Sequence, residues 1–436
     1  MKVVLSYGMG VDSTAILLGW LVNPKSRTFD LRDLLVLTAQ IGDEFQGTGQ
    51  LVEEHVLPLL RRYRVRFVQV ARGGLHEADG IVVLDDTTNP QKVHLEGAFA
   101  LSTELLRAGT VPQYASGQRR CSQKYKGWVL DTWLEHEFGG REFRHVIGFN
   151  ADEPKRVERD RGYSSEERHS EYPLFTDWEW DRDTCVEFIR DVTGVEWQKS
   201  CCTFCPFAGG KAAHVQRLWR EPEAAGQALL IETMSLALNP RMTLYAGGLS
   251  LRETLEREGA QELIAAFEQT LDMLPWTIYH VRRIMKAPGR GERAVERLTD
   301  DLSRADASRA LAEIARRSSR KIEQVQGLER VTRIERAEDV YPSVEEFAVA
   351  APATVEPKQG SRFTEHWTAI TGEARECFVG EVCPEGAAAP EDDARAALLD
   401  AYRRGTLRSG AQAQAQVLLS RRTWGPVEFA VARSIL

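Results

Sequence analysis

Three cysteines stand within five residues in Cys201-Cys202-Thr203-Phe204-Cys205-Pro206. Thiolates two residues apart can chelate one metal ion or cluster, and a proline directly after them is common at iron–sulfur sites. Cys121, far upstream, would bring the set to four thiolates, the number a [4Fe–4S] cluster takes. The same spacing suits a Cys₄ zinc tetrahedron, so Zn²⁺ is the alternative, and a metal-free group of buried thiols is the third reading. The other cysteines, Cys185, Cys377 and Cys383, carry no ligand spacing. Cys185 falls in the helix expected over Thr184–Val192 and reads as a small buried apolar residue.

A second chemical signal lies at the start of the chain, in Ser6-Tyr7-Gly8-Met9-Gly10-Val11-Asp12-Ser13-Thr14. A Gly-rich turn between a strand and a helix can offer backbone N–H groups and a helix N-terminus to phosphate. Gly8 and Gly10 permit close approach, and Ser6, Ser13 and Thr14 bring hydroxyl donors. The turn is neither a Walker A loop, since no Gly-Lys-Ser/Thr follows, nor a dinucleotide fingerprint, since the third glycine is missing. A plain helix start with a Ser/Asp cap is the competing reading. Asp43 and Glu44 follow the second expected strand, where a carboxylate can hold Mg²⁺ on nucleotide phosphates or merely sit at a helix start. Lys124, Lys126 and Arg156 are candidates to neutralise phosphate charge, as are Arg119 and Arg120. His145, His169 and His214 show no metal-ligand spacing.

The elements that would position these residues alternate. Strands are expected at Lys2–Ser6, Leu34–Thr38, Arg66–Val70 and His145–Phe149, and helices at Thr14–Val22, Val52–Arg62 and Gln123–Phe138. A polar excursion runs from about Arg72 to Gln118. Such alternation predicts an α/β fold with a doubly wound parallel sheet, whose ligands lie at the carboxyl ends of the strands. From Lys211 onward the texture is Arg-, Glu-, Ala- and Leu-rich, and a mainly helical C-terminal half is expected. Apolar i, i+3, i+4 spacing marks Ala224–Leu238, Leu251–Leu274 and Ala305–Gln326. Between His280 and Glu335 basic residues outnumber acidic ones, which reads as solvated helix faces or as a patch for nucleic acid. Ala350–Gln359 and Cys383–Glu391 read as linkers, and Asp392–Leu436 as one more helix with a terminal strand or tail. The expected division is 1–210, 211–340 and 341–436.

A chain of 436 residues with 43% hydrophobic and 28% charged residues is an ordinary globular protein of two or three packed units. Disorder and a coiled-coil rod are excluded. A net charge of −8 argues against a surface that is basic throughout. An odd count of seven cysteines speaks against a disulfide framework. With no apolar run long enough to span a bilayer and no signal-peptide pattern at the N-terminus, a cytoplasmic protein without membrane contact is expected.

The first loop resembles the PP-loop of N-type ATP pyrophosphatases, Ser-Gly-Gly-x-Asp-Ser. Gly10, Asp12 and Ser13 match, while Gly8 stands where that family has its serine and Met9 where it has its first glycine. Ile41-Gly42-Asp43-Glu44-Phe45-Gln46-Gly47-Thr48 is similar to the Asp-Thr-Gly-x-Glu-Phe-x-x-Thr segment of the 3′-phosphoadenylylsulfate reductase branch. Arg119-Arg120-Cys121-Ser122-Gln123-Lys124-Tyr125-Lys126 resembles its Arg-x-Cys-Cys-x-x-Lys segment, with Ser122 in place of the second cysteine. Ile147-Gly148-Phe149-Asn150-Ala151-Asp152-Glu153 with Arg156, and Tyr172-Pro173-Leu174 with Trp178, match two further segments. The resemblance covers about residues 1–210.

The resemblance implies an adenine nucleotide alpha-hydrolase-like fold and cleavage of ATP, with Mg²⁺, to AMP and pyrophosphate. It implies a nucleotide site at Ser6, Tyr7, Gly8, Met9, Gly10, Asp12, Ser13, Thr14 and Gly148, with catalytic roles for Asp12, Ser13, Asp43, Lys124 and Arg156. Cys121, Cys202 and Cys205 would bind a cluster, and Cys201 is either the fourth ligand or a bystander. Closest in kind are the ATP pyrophosphatases of bacterial DNA phosphorothioation, which take sulfur from a cysteine desulfurase and act on DNA. Two other functions are compatible with such a core: a sulfonucleotide reductase and a nucleotide-binding sensor or assembly subunit without turnover. The reductases carry a Glu-Cys-Gly-Leu-His tail, which Glu381-Val382-Cys383-Pro384-Glu385-Gly386 matches poorly.

Overall fold

The computed structural model describes residues 1–115 and 118–372. The described chain forms two units: Met1–Glu104 with Pro112–Glu221, and Leu105–Val111 with residues 222–372. The cysteines Cys377 and Cys383, the expected linker Cys383–Glu391 and the expected element Asp392–Leu436 lie outside the described residues.

In the first unit, continuous apolar runs become strands buried on both faces, as a parallel sheet requires. Six strands run in the order β4-β3-β2-β1-β5-β6, namely Ile81–Thr87, Arg66–Arg72, Leu34–Ala39, Lys2–Ser6, Phe143–Ile147 and Arg168–Glu171. Every pairing is parallel except that of β4 with β3. Val3 and Leu5 of β1 point into one core with Ile16, Leu57, Leu60, Cys185 and Ile189. Val4 points into the other, with Val129, Trp133 and Phe138. Helices therefore cover both faces, Val11–Val22 and Arg182–Thr193 on one side and Trp128–Phe138 on the other.

The chain moves from β1 through β2 to β3 on one side, then returns to β5 and β6 on the other. Within the supposed polar excursion lie the edge strand β4 and the helix Leu101–Ala108. β4 escapes a periodicity reading because an edge strand leaves Val82 and Val83 exposed and carries Asp85 and Asp86, charges that discourage pairing with another chain.

The second unit corrects the expectation of a mainly helical half. Helices form at Pro222–Leu238, Leu251–Arg257, Gln261–Met273 and Arg304–Arg317. Beside them is a five-stranded antiparallel sheet in the order Arg290–Arg297, Trp276–Ala287, Ser343–Pro352, Leu328–Ile334, Glu323–Val325. The helix expected over Leu251–Leu274 breaks at Gly259, whose φ is +77°. The one expected over Ala305–Gln326 stops at Arg317, and Ala350–Pro352, expected as linker, ends a strand whose alanines are buried. Local composition favoured helix, and a non-local ladder overrode it. Arg283 pairs with Glu345 opposite it and Arg282 pairs with Glu296 on the other neighbouring strand, so charges that read as a solvated helix face are cross-strand pairs. Among the described residues no helix is long and apolar enough to cross a membrane.

Candidate functional site

At the carboxyl ends of β1 and β2 in the first unit, Ser6, Tyr7, Gly8 and Met9 line an open cavity of about 110 Å³ together with Thr38, Gln40, Ile41, Glu44 and Lys126. Gly10 precedes the helix Val11–Val22 in an extended conformation and leaves its N-terminus without a side-chain cap. The first N–H groups of that helix are thus the kind that favour an anion. Met9 holds a left-handed backbone, φ +57°, a conformation glycine adopts at no steric cost and methionine rarely does. Here Trp197 Nε1 donates to the Met9 carbonyl at 2.9 Å and secures the turn. Around Gly8, by contrast, a Cβ would meet nothing within 4 Å.

Three of the loop residues are engaged by the scaffold. Asp12 accepts from Arg182 Nη1 at 2.7 Å and from Asn150 Nδ2 at 3.2 Å, so it ties the helix to the loop after β5. Burial raises its carboxyl above the ordinary range. Ser13 Oγ turns back to the Gly10 carbonyl at 3.3 Å, and Thr14 Oγ1 lies 3.2 Å from the Tyr7 hydroxyl, both sealed in the interior. Gly148 is a packing glycine: a Cβ there would lie 2.8 Å from Ser13 N.

Ser6 has a partner that sequence reasoning did not find. Arg168 Nε donates to His145 Nδ1 at 2.7 Å, which leaves the ring proton on Nε2. Nε2 lies 2.7 Å from Ser6 Oγ and donates to it, so the hydroxyl proton is available to the cavity. Burial, reinforced by Arg168, pushes His145 down to about 3. The imidazole is therefore neutral and orients Ser6 rather than serving as a base.

The carboxylates divide their work. Asp43 Oδ2 accepts from Ser102 N at 2.8 Å and so holds the start of the helix Leu101–Ala108, the structural alternative weighed for it. Glu44 lines the cavity instead. Its Oε1 accepts from Cys201 N at 2.6 Å and its Oε2 from Ser200 Oγ at 2.8 Å. Burial pushes its carboxyl up to about 7 against the pull of Lys126. If Mg²⁺ binds here, Glu44 is the carboxylate in place to hold it.

The expected cations also divide. Lys126 lines the cavity, carried there by a π-helical turn, Gln123–Gly127, a feature frequent at functional sites. Lys124 instead pairs with Glu104, and Arg156 pairs with Glu153 while its guanidinium stacks 4.4 Å above Phe149. Neither reaches the cavity wall. If the cavity holds a nucleotide's phosphates, replacement of Lys126 by methionine should raise the KM for that nucleotide about tenfold or more, the loss of a charged hydrogen bond of about 1.5–3 kcal/mol. Lys124→Met should leave that KM close to wild type, and steady-state kinetics on the two variants read the difference.

Behind Glu44 the cysteines gather. Cys205 shares a hydrogen bond with Cys201, and Cys121 and Cys202 both lie within its electrostatic reach. Donation by Cys201 and the charges of Arg119 and Lys126 hold the Cys205 thiol below its ordinary range. Cys201 also receives Arg217 Nη1 at 3.1 Å. Among the described residues no three His, Cys, Asp or Glu side chains form a ready-made metal-binding group. The donor chemistry suits a thiolate-held cluster or zinc all the same: four cysteines, three of them converging on Cys205. The helix Lys211–Arg220 locks this arrangement, and no local pattern announces it. Arg217 lies 3.7 Å over the Phe45 ring, and Glu221 accepts from Gln46 N and Gly47 N. The chain matches no family model and no curated protein.

Proposed function

We propose that the first unit is a PP-loop ATP pyrophosphatase with an adenine nucleotide alpha-hydrolase-like fold, adenylating an acceptor for sulfur incorporation. The observation that carries this reading is Glu44, a single carboxylate that lines the loop cavity and also accepts from Ser200 and Cys201. Nucleotide chemistry and thiol chemistry would meet at that residue. The loop N–H groups, the Ser6 hydroxyl and Lys126 hold the β- and γ-phosphates and stabilise the pyrophosphate as it leaves. An acceptor oxygen attacks the α-phosphorus and expels pyrophosphate, and a sulfide-level nucleophile then displaces AMP. Cys121, Cys202 and Cys205, with or without Cys201, would hold an iron–sulfur cluster, which supplies a site for sulfur ligation. DNA phosphorothioation, with a cysteine desulfurase as donor, is the pathway of this kind that the motifs resemble most.

Two measurements test the reading. With ATP and Mg²⁺ the full chain should release AMP and pyrophosphate in equal amounts, and Gly8→Ser, which meets no neighbour, should retain that release. Products of ADP and phosphate, or none, would sink it. Anaerobically purified chain should contain iron, and Cys121→Ala, Cys202→Ala and Cys205→Ala should each lose most of it while still binding ATP. Iron retained in Cys201→Ala would exclude Cys201 as a ligand, whereas zinc in place of iron would replace the cluster by a structural tetrahedron.

A further inference from the structure

The basic stretch of the second unit folds into a sheet, and on one face of it the charges do not balance. Arg283 stands opposite Arg293 on one neighbouring strand and opposite Glu345 on the other. Phe347 and Val349 share the face of Glu345 by alternation, and Arg330, opposite Val349, lays its guanidinium 3.8 Å above the Phe347 ring. Arg283 Nη1 donates to Glu345 Oε2 at 2.5 Å, and Arg293 is taken up by the Ala108 and Gly109 carbonyls.

Arg330 is different. It is 5% exposed, yet its guanidinium donates to no protein group among the described residues, and its Nε is buried without a partner. The Nε of Arg336, which lies within electrostatic reach of Arg283, is in the same condition. The opposite face shows what balance looks like in this sheet: Arg282 pairs with Glu296, while Glu346 takes both His280 and Arg333.

Glu323 stands opposite Arg330 and Glu345 lies within its electrostatic reach, yet neither is hydrogen-bonded to it. A buried guanidinium held by stacking without such a bond is costly and keeps its donors for an anion brought from outside. We propose that Arg330, with Arg336 and Arg283, forms a binding site for a compact phosphate group, free or at the end of a phosphorylated strand. Planar guanidinium forks match the oxygens of phosphate, and two or three of them suit its double charge. In support, burial draws both Arg293 and Arg330 down to about 10, with Arg283 repelling each of them. Glu345 and Glu323 oppose that shift at Arg330.

The test is titration calorimetry on the full chain in phosphate-free chloride buffer, with inorganic phosphate, a 5′-phosphorylated oligonucleotide and its unphosphorylated twin. Arg330→Met should weaken phosphate at least about tenfold, a loss of about 1.4 kcal/mol. Its melting temperature without phosphate should be equal to or above that of wild type, since an unpaired buried charge has been removed. Lys126→Met, a change in the other unit, should leave this binding intact, which separates the site from the nucleotide cavity. Competition by the phosphorylated oligonucleotide but not its twin would support the site and name a strand end as its source. Competition by neither would support it with free phosphate as the source. Equal phosphate affinity in wild type and Arg330→Met would overturn the proposal. Should Arg330→Met fail to fold, Arg336→Met replaces it, with the same tenfold loss expected.

Discussion

Gly148→Ala should abolish pyrophosphate release and lower the stability of the first unit by about 1–3 kcal/mol, the usual cost of forcing volume into a packed place. The added Cβ would lie 2.8 Å from Ser13 N, 3.1 Å from the Asp12 carbonyl carbon and 3.1 Å from Ser13 Cα. These are helix backbone atoms, not the yielding end of a side chain. The helix Val11–Val22 must therefore back away from the end of β5, taking with it the loop Tyr7–Gly10 that lines the cavity. Asp12 would lose its hold on Arg182 and Asn150 in the same movement. Gly8→Ala is the matched control, because a Cβ at Gly8 meets nothing within 4 Å. Denaturant melts and a pyrophosphate assay on both variants check the claim. Normal activity in a stable Gly148→Ala protein would detach the β5 loop from the site.

The second large effect belongs to Glu232. Its carboxylate is buried, with Oε1 accepting from Leu244 N and Oε2 from Leu251 N, each at 2.7 Å. It thus staples the helix Pro222–Leu238 to the start of the helix Leu251–Arg257. Glu232→Leu strands two buried donors and should cost the second unit about 2–6 kcal/mol, at about 1–3 kcal/mol for each group left unsatisfied.

The same residue makes stability depend on pH. Burial pushes the folded carboxyl up from 4.5 to about 7. Between those values the folded chain keeps a proton that the unfolded chain has released. The stability of the second unit should therefore be greatest below the lower value and fall as pH rises through the window, by about 3 kcal/mol in all at 1.36 kcal/mol per unit. Urea melts at pH 5 and pH 8 measure the slope, and Glu232→Gln should flatten it. An unchanged slope in that variant would assign the pH dependence to another group.

What the amino-acid sequence determined by itself was the first unit's frame. Short apolar runs such as Lys2–Ser6 and Leu34–Ala39 fit a sheet buried on both faces, because a strand with two hydrophobic sides has nowhere else to go. The loop after β1 and the cysteine run were legible for a related reason: glycine and thiol chemistry is local, and spacing along the chain reports it directly.

Tertiary structure decided everything that depended on a partner distant in sequence. Lys124 and Lys126 are indistinguishable as residues, and only the π turn and Glu104 determine which of them faces the cavity. Asp43 and Glu44 are neighbours, yet one secures a helix start and the other lines the site. In the second unit, Arg283 favoured a helix by composition and became a strand residue whose partner, Glu345, waits some 60 residues on. Pairing energies of this kind arise only once chain closure brings the groups together, so no window of local sequence contains them.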